Sequence, residues 1–244
     1  MDFQELSAKF KQFEGPFPEE ALIESVRNRA LVTPELLKVM RNTQENPQHV
    51  IDRDDYMMSI YAMYLLAQFR EKEACPIIVD FFSLPDEKAM EIVGDMYIED
   101  LGRILASVCC GDLSHLQRLI ENPDAQELLR ASAVEALMVL VRVGEKSRDE
   151  IVTYFRQLFA GKLERRRSLV WVSLVSGSVD LYPEEVAAEI DRAFADNLVD
   201  EGLISMGNAD EVLLEEKEEV LERFFKVSQY SLIEDVVLEM SEGQ

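Results

Sequence analysis

The sequence has few of the residues from which catalytic and metal sites are usually built. Its 244 residues include only two histidines, His49 and His115, and three cysteines, Cys75, Cys109 and Cys110. A structural zinc site needs four nitrogen or sulfur ligands, commonly as two closely spaced pairs. Cys110 and His115, five residues apart, could approach each other, but a third and a fourth ligand are not evident. The sequence also lacks a Gly-x-Ser-x-Gly elbow and a glycine-rich phosphate loop. We therefore predict no catalytic residue, no bound metal and no cofactor.

Glycine and proline are also scarce, with ten and eight residues. An all-β protein of this length needs more turn residues than that, and no segment shows sustained strand alternation. The most apolar stretch, Leu169 to Val175, is too short to span a bilayer, and the first 18 residues do not resemble a signal peptide. Three cysteines, two of them adjacent, do not suggest a disulfide framework. We expect a cytoplasmic protein in which Cys109 and Cys110 are small packing residues.

Positively charged residues are also scarce. The sequence has 25 lysines and arginines and 48 acids, which give a net charge of −23. Residues 180–244 hold 19 acids and 4 bases, a net of −15, which leaves −8 for residues 1–179. Such a surface repels a nucleic-acid backbone and an anionic membrane. Basic proteins or peptides are the partners that the charge permits, although acidity also serves solubility. We expect a basic protein partner, no nucleic acid and no membrane.

Helical spacing runs through the whole chain. Amphipathic segments such as Arg148–Ala160 and Pro183–Asn197 alternate with segments that are apolar on nearly every side. The all-apolar segments are Met57–Phe69, Ala133–Val143 and Leu169–Val175. A helix of that kind must be covered on all sides, so the pattern predicts an all-α protein of packed helix layers.

Capping residues and charges predict where helices begin and end. Thr33 is a candidate N-cap with Pro34 at the first helical position. Acids favour the start of a helix, which accounts for Asp52, Asp54 and Asp55. Glycine favours the end of a helix, and the candidate positions are Gly144, Gly161 and Gly177.

Four similar segments indicate a structural repeat. Each has an apolar helix end, a short polar turn and an amphipathic helix, and the equivalent positions Ala67, Ala106, Val141 and Val175 are spaced by 39, 35 and 34 residues. These spacings border both the helical repeats of about 34 and those of about 40 residues. The missing tryptophan, glycine and tyrosine pattern of tetratricopeptide repeats and the proline after Cys75 favour HEAT-like helix pairs. The predicted fold is a right-handed α-solenoid in a single elongated domain, 1–244. It has a lead-in at 1–18, helix pairs over 19–207 and acidic capping helices over 208–240.

Three stretches resemble an uncharacterised bacterial family of HEAT-like proteins, a domain of unknown function. They are Asp95–Val108 (DMYIEDLGRILASV), Arg192–Val212 (RAFADNLVDEGLISMGNADEV) and Tyr64–Phe69 followed by Ala74–Pro76. The resemblance covers roughly residues 20–225 and implies a helical-repeat fold without known chemistry. Some members of that family look as though they carry a C-terminal, cysteine-rich SEC-C zinc tail. This sequence ends at Glu239–Gln244 without a cysteine, so the resemblance implies no such zinc site here.

Two clusters of acids and one of arginines have both a functional and a structural interpretation. Asp52, Asp54 and Asp55, and likewise Asp95, Glu99 and Asp100, superficially suggest a cation site, but neither supplies the glycine and glutamate of an EF-hand loop. Helix-start acids explain them more simply. The basic run of Arg165, Arg166 and Arg167 spreads around a helix, so we expect these arginines to pair with neighbouring acids.

The C-terminal glutamates are the candidate partner-binding residues. They are Glu211, Glu215, Glu218, Glu219 and Glu222, interspersed with apolar residues such as Phe224 and Phe225. An amphipathic acidic helix can dock on a basic partner or form a solvated end cap. The leading hypothesis is a non-enzymatic interaction or scaffold protein that presents an acidic helical-repeat surface. The alternatives are a metal- or ligand-binding module or enzyme with spatially assembled carboxylates and, third, a HEAT-like nucleic-acid-binding protein.

Overall fold

The computed structural model describes residues 3–10, 17–53, 56–85 and 87–241. In these ranges the chain is all-helical and has no β-strand, as the spacing predicted. The first eight α-helices are α1 Phe3–Phe10, α2 Glu19–Arg27, α3 Arg29–Glu45, α4 Pro47–Asp52, α5 Tyr56–Gln68, α6 Ala74–Phe82, α7 Lys88–Val93 and α8 Leu101–Cys109. The others are α9 Leu113–Ile120, α10 Glu127–Arg142, α11 Arg148–Gln157, α12 Leu169–Asp180, α13 Ala187–Ala195, α14 Met206–Val212, α15 Lys217–Phe224 and α16 Val236–Ser241. Short 3₁₀ helices cover Asp95–Asp100 and Glu184–Val186, and a π-type turn covers Leu158–Lys162.

None of the described helices is both long enough and apolar enough to cross a membrane.

The chain divides into two compact units. The first unit contains the residues up to Cys110 together with those from Leu232 onward, and the second runs from Gly111 to Ser231. The capping segment predicted at 208–240 is therefore divided between the two units. The lead-in predicted at 1–18 contains α1, whose Leu6 and Phe10 are buried. The single elongated domain stays a prediction.

Each of the four turns expected from the repeat lies between two helices. The four predicted turns join α5 to α6, α8 to α9, α10 to α11 and α12 to α13. A residue in the left-handed conformation ends the first helix of each pair, namely Arg70 (φ +54°), Cys110 (φ +46°), Gly144 (φ +78°) and Tyr182 (φ +65°). Such a residue turns its N–H back toward a carbonyl of the last helical turn. The Arg70 N–H, for example, donates to the Ala67 carbonyl over 3.0 Å.

The helices predicted to be apolar on every side form the cores of the units. In the first unit every residue of α5 from Met57 to Ala67 is buried, and α5 packs against α3, α7 and α8. In the second unit α10 is buried from Leu129 to Val141 except for the half-buried Glu135, and it packs against α9 and α12. Both helices are covered on several sides, as their composition requires.

Two of the predicted helix boundaries are wrong. Thr33 does not cap a helix, because α3 begins at Arg29 and carries Pro34 inside it. The Thr33 hydroxyl instead donates to the Arg29 carbonyl one turn earlier (2.8 Å). Asp52 is the last residue of α4 rather than a helix start, and Asp54 and Asp55 lie outside the described residues.

Gly177 does not end a helix either, since it lies buried inside α12. A Cβ atom there would be 3.0 Å from the Met138 Sδ and 3.3 Å from two ring carbons of Phe155. Glycine at this position therefore allows α12 to approach α10 and α11 closely. The other two predicted stops agree better with the structure, because Gly144 and Gly161 both have positive φ angles at the ends of their segments.

A disulfide joins Cys75 to Cys109 in the first unit and ties α6 to α8. The expectation from the cysteine pattern is therefore wrong for this pair, although Cys109 is buried as predicted. Residues 34 apart in sequence meet here because α6 and α8 pack against each other. Cys110 keeps a thiol, which donates to the carbonyls of Ser107 (3.3 Å) and Arg70 (3.8 Å).

The last described residues pack within the first unit, held mainly by Arg103. Its guanidinium binds both carboxylate oxygens of Glu239 (2.5 and 2.7 Å) and one of Asp100 (2.6 Å). Tyr64 donates its hydroxyl to the other Asp100 oxygen over 2.5 Å. Arg70 adds a hydrogen bond to the Ile233 carbonyl (2.7 Å). These contacts fix α16, which also packs on α2 and α5.

The second unit contains one fully buried charge, the Arg130 guanidinium. It binds both carboxylate oxygens of Glu164 (2.6 and 2.8 Å) and donates twice to the Ile120 carbonyl (2.8 and 3.0 Å). The hydrogen bonds from Arg130 hold the pKa of the Glu164 carboxyl below its usual value. A buried charge persists when it is paired and hydrogen-bonded in this way. The pair ties α10 to the turn before α12.

Candidate functional site

The five glutamates predicted to bind a partner lie on α14, on α15 and in the non-helical residues 213–216 between them. Asn208 supports the start of α14, where its Oδ1 accepts the backbone N–H (2.9 Å) and the hydroxyl (2.8 Å) of Ser205. Ala209, Val220 and Phe224 bury their side chains. Helix α14 packs on α12 and α13, and α15 packs on α12. Each helix thus uses one apolar side as an anchor and turns its acids to solvent.

Two of the five glutamates are paired within the segment. The Arg223 guanidinium binds both carboxylate oxygens of Glu215 (2.7 and 3.1 Å). The Lys226 ammonium lies 2.7 Å from a Glu222 oxygen. These hydrogen bonds lower the pKa of both carboxyls from their ordinary values, so Glu215 and Glu222 are engaged in pairs on the surface.

The other three glutamates, Glu211, Glu218 and Glu219, are exposed and form no salt bridge within the described residues. Glu218 and Glu219 lie in the first turn of α15, where the helix dipole stabilises negative charge. These three carboxylates, the open acids, therefore present their charge to solvent without a salt bridge to a described residue. They are the part of the predicted site that is available to a partner.

Large apolar side chains are exposed in the same segment. Leu203, Met206, Leu214 and Phe225 are 62%, 45%, 88% and 49% exposed. Leu214 lies in the turn between α14 and α15, and Phe225 directly follows α15. Single exposed apolar residues are common, but four within 23 residues that also carry the open acids form a surface of mixed apolar and acidic character. The sequence placed Phe225 with the apolar residues of an amphipathic helix and gave no signal that it would be exposed.

A network of ion pairs lies beneath the start of α15. Arg148 donates to the carbonyls of Leu181 (2.6 Å) and Tyr182 (2.7 Å), which end α12, and binds Glu185 through two 2.7 Å contacts. The hydrogen bonds from Arg148 lower the pKa of Glu185 to about 2. Lys217, at the start of α15, lies 3.3 Å from Glu185 and 5.5 Å from the centre of the Tyr182 ring. The network attaches α15 to the turn after α12.

A second support follows α15. Tyr230 is buried, and its hydroxyl donates to an Asp180 oxygen over 2.6 Å. Burial raises the pKa of Asp180, and the hydrogen bond from Tyr230 offsets part of that rise. Arg142 donates to the Tyr230 carbonyl (3.3 Å). These contacts fix the chain on both sides of the acidic helices, and no sequence pattern indicated them.

Of the acids considered as cation ligands, Asp54 and Asp55 lie outside the described residues. Among the described residues no three histidine, cysteine, aspartate or glutamate side chains are arranged to hold a metal ion. Asp100 accepts hydrogen bonds from Tyr64 and Arg103. Cys110 belongs to the first unit and His115 to the second.

The three consecutive arginines pair with acids, as the sequence predicted. Arg165, Arg166 and Arg167 each form a salt bridge. Their partners are Asp196, Glu164 and Asp200, respectively. Arg165 also lies over the Trp171 ring, 5.7 Å from its centre. The basic run is thus used in contacts within the second unit.

Comparison with known proteins places the whole chain in one family. The model of a family described as "Protein of unknown function (DUF1186)" matches residues 1–243. The chain belongs to this family. A relative from Chlamydia muridarum (strain MoPn / Nigg) is 40% identical over 227 residues, which are 93% of this chain and 90% of the relative. A second, from Chlamydia trachomatis serovar D (strain ATCC VR-885 / DSM 19411 / UW-3/Cx), is 40% identical over 202 residues, which are 83% of this chain and 80% of the relative.

Both chlamydial relatives carry the description "Uncharacterized protein". No solved structure matches the chain. A family of unknown function with bacterial members, as expected from the sequence, is thereby confirmed. Its HEAT-like character stays a prediction, and its function has to be argued from the surface of this chain.

Proposed function

We propose that this member of the family is a non-enzymatic interaction or scaffold protein that binds a basic protein segment through α14 and α15. The observation that carries the proposal is the presence, in one segment, of exposed acids without salt bridges and of exposed apolar side chains. The open acids Glu211, Glu218 and Glu219 form no salt bridge with described residues, and Leu214 and Phe225 are exposed beside them in the chain.

The two kinds of side chain have different roles in such an interface. Charge complementarity speeds the encounter and selects the partner, whereas buried apolar anchors supply most of the affinity. The apolar side of a basic amphipathic helix would cover Leu214 and Phe225, and its lysines or arginines would face the open acids. A nucleic acid lacks that combination and is repelled by the charge.

The scaffold itself is proposed to be a right-handed HEAT-like solenoid in the cytoplasm. Two observations support the repeat: the four predicted turns each join two helices, and a left-handed residue ends the first helix of each pair. Stacked helix pairs present extended surfaces, which is how such proteins bind other proteins. The acidic surface of α14 and α15 is one such surface.

A pull-down with charge-neutralised variants tests the proposal. The wild-type chain is immobilised and exposed to a lysate of the source cell at low and high salt, and each captured protein is purified for an affinity measurement. In the test variant Glu211→Gln, Glu218→Gln and Glu219→Gln remove the open acids together. The loss of three exposed ion pairs, each contributing about 0.2–1 kcal/mol, should weaken binding by about tenfold.

The matched control removes the same charge from the first unit. Its changes are Glu45→Gln, Glu91→Gln and Glu99→Gln, at exposed acids that form no salt bridge within the described residues. This control should bind like the wild type, and binding of both should weaken as salt rises. Equal loss in the two variants, or turnover in a broad hydrolase screen without a captured partner, would overturn the proposal.

A further inference from the structure

The first unit contains a groove of about 790 Å³ whose walls carry unusual positive charge for so acidic a chain. One face of α3 forms its long wall, and the turn before α6 contributes the acids Glu71 and Glu73. The four cations that line it are Arg27, Arg29, Lys38 and Arg41. We call this feature the α3 groove.

Two of these cations have no acidic partner. Arg27 and Arg29 are exposed, and neither forms a salt bridge within the described residues. The Arg29 guanidinium lies over the Phe69 ring, 5.3 Å from its centre. Stacking of this kind fixes the plane of a guanidinium and leaves its N–H edges for a carboxylate. Arg27 and Arg29, two residues apart, therefore offer two guanidinium groups on the wall of the groove to an acidic ligand.

The other two cations lie at the far end of the same helix. Lys38 is nine residues after Arg29, which corresponds to about 14 Å along the helix axis. Both are already weakly engaged, Lys38 with Glu35 (2.7 Å) and Arg41 with Glu73 (3.7 Å), at exposed positions. Such surface pairs exchange partners at little cost.

Between the two charged ends the wall is apolar and offers one unusual acceptor. Pro34 and Leu37 line the middle of the groove, together with Ala30. Since Pro34 has no N–H, the Ala30 carbonyl lacks the donor that an α-helix normally places four residues later. A peptide has both an apolar side chain for this wall and backbone N–H donors for that carbonyl, whereas a phosphate ion has neither.

The charge of the groove also limits the size of the ligand. Four cations face Glu71 and Glu73, so the lining has a net charge of only +2. A polyanion such as a nucleic acid needs many more phosphate contacts, and a second copy of this chain carries −23. A short segment with a few carboxylates meets mainly the local charge, because more distant exposed charges are screened within about 10 Å at moderate salt.

We propose that the α3 groove binds a short, extended acidic peptide segment of another protein. Carboxylates at one end of the segment contact Arg27 and Arg29, an apolar side chain lies on Pro34 and Leu37, and carboxylates four or five residues later reach Lys38 and Arg41. An extended chain covers about 13–16 Å in that interval, which is comparable to the rise along α3 from Arg29 to Lys38. This site belongs to the first unit and does not depend on the acidic surface of the second.

Fluorescence anisotropy with a defined probe tests the groove. The probe is a fluorescein-labelled peptide, Glu-Glu-Ala-Leu-Ala-Glu-Glu, and a version with every Glu replaced by Gln serves as the peptide control. The variant Arg27→Gln/Arg29→Gln should bind the acidic peptide about tenfold more weakly than the wild type. The matched variant Lys88→Gln/Arg156→Gln removes two cations that do not line the groove and should bind within about twofold of the wild type.

Three results would overturn this proposal. The first is equal affinity for the Glu and Gln peptides, and the second is an equal loss of peptide affinity in the two double variants. The third is displacement of the peptide by inorganic phosphate at the concentration at which the peptide itself binds, which would indicate a small-anion site. Circular dichroism of each variant verifies the helix content, so that a loss of fold is not read as a loss of binding. A negative result for the α3 groove does not bear on the proposed function of the acidic surface, because the variants that test that surface change residues of the second unit only.

Discussion

Reduction of the Cys75–Cys109 disulfide should destabilise the first unit without affecting the second. The bond ties α6 to α8, and both cysteines are only 3% exposed. Opening it leaves the folded contacts largely in place but releases the unfolded chain from a closed loop. In the proposed cytoplasmic location, where thiols are kept reduced, the bond would form only under oxidation.

The size of the effect follows from the length of that loop. For a sequence separation of 34 residues, the chain-entropy relation gives a contribution of about 4 kcal/mol to the free energy of unfolding. In terms of equilibrium constants, this is a change of several hundred-fold in the population of the unfolded first unit. The calculation takes the whole effect as a change in the entropy of the unfolded chain.

Amide hydrogen exchange on the oxidised and the reduced protein measures the effect directly. The slowest amides of α5 and α6 should exchange several hundred-fold faster after reduction, because they exchange through unfolding of their unit. The amides of α10 and α12, in the second unit, serve as the internal control and should not change. Unchanged exchange in α5 and α6, or three titratable thiols in the unfolded, unreduced chain, would refute the reasoning.

Further predictions concern the second unit and can be checked by urea unfolding followed through its single tryptophan. Gly177→Ala should destabilise it by about 1 kcal/mol, since crowding of 1–3 kcal/mol exceeds the gain in helix propensity, whereas Gly207→Ala in α14 should be neutral or stabilising. Glu164→Gln should cost about 3 kcal/mol because it leaves the buried Arg130 charge without its partner, and a loss below 1 kcal/mol would contradict that role. The folded pKa of Glu185 is depressed from 4.5 to about 2, so its stabilisation is complete above pH 4.5 and is lost as pH falls toward 2. Glu185→Gln should flatten this part of the pH profile, and an unchanged profile would rule the residue out.

The helices were predictable because burial and amphipathicity place apolar residues at helical spacing in the sequence. Helices α5, α10 and α12 are apolar on nearly all sides, and such helices can only be core helices. The pairing of Arg165 to Arg167 with acids was predictable from the excess of carboxylates, but the expected helix was wrong, because these arginines lie in the non-helical residues 163–168.

Features that depend on which helices meet were not predictable in this way. Gly177 looks like a helix stop, yet its missing side chain makes room for Met138 and Phe155. The disulfide depends on the packing of α6 against α8, which the cysteine spacing does not encode. The α3 groove was not predicted because its cations belong to two helices, Arg27 to α2 and the others to α3, and only the fold brings them to one groove.

The candidate site stays a prediction from composition, and the structure adds which of its glutamates are paired. The acidic composition located Glu211, Glu215, Glu218, Glu219 and Glu222. Which of them are paired depends on the positions that Arg223 and Lys226 reach in the fold. Local composition cannot supply that information, and neither can it show that Leu214 is exposed.

The central claim, that α14 and α15 bind a basic segment, is tested most directly by a hydrogen-exchange footprint. A lysine- and leucine-rich amphipathic peptide is added as the probe to the wild type and to the Glu211→Gln/Glu218→Gln/Glu219→Gln variant. We expect the peptide to slow exchange over residues 206–225 of the wild type. At the same peptide concentration the variant should be protected more weakly, and high salt should remove the protection. Protection elsewhere in the chain, or equal protection of the wild type and the variant, would contradict it.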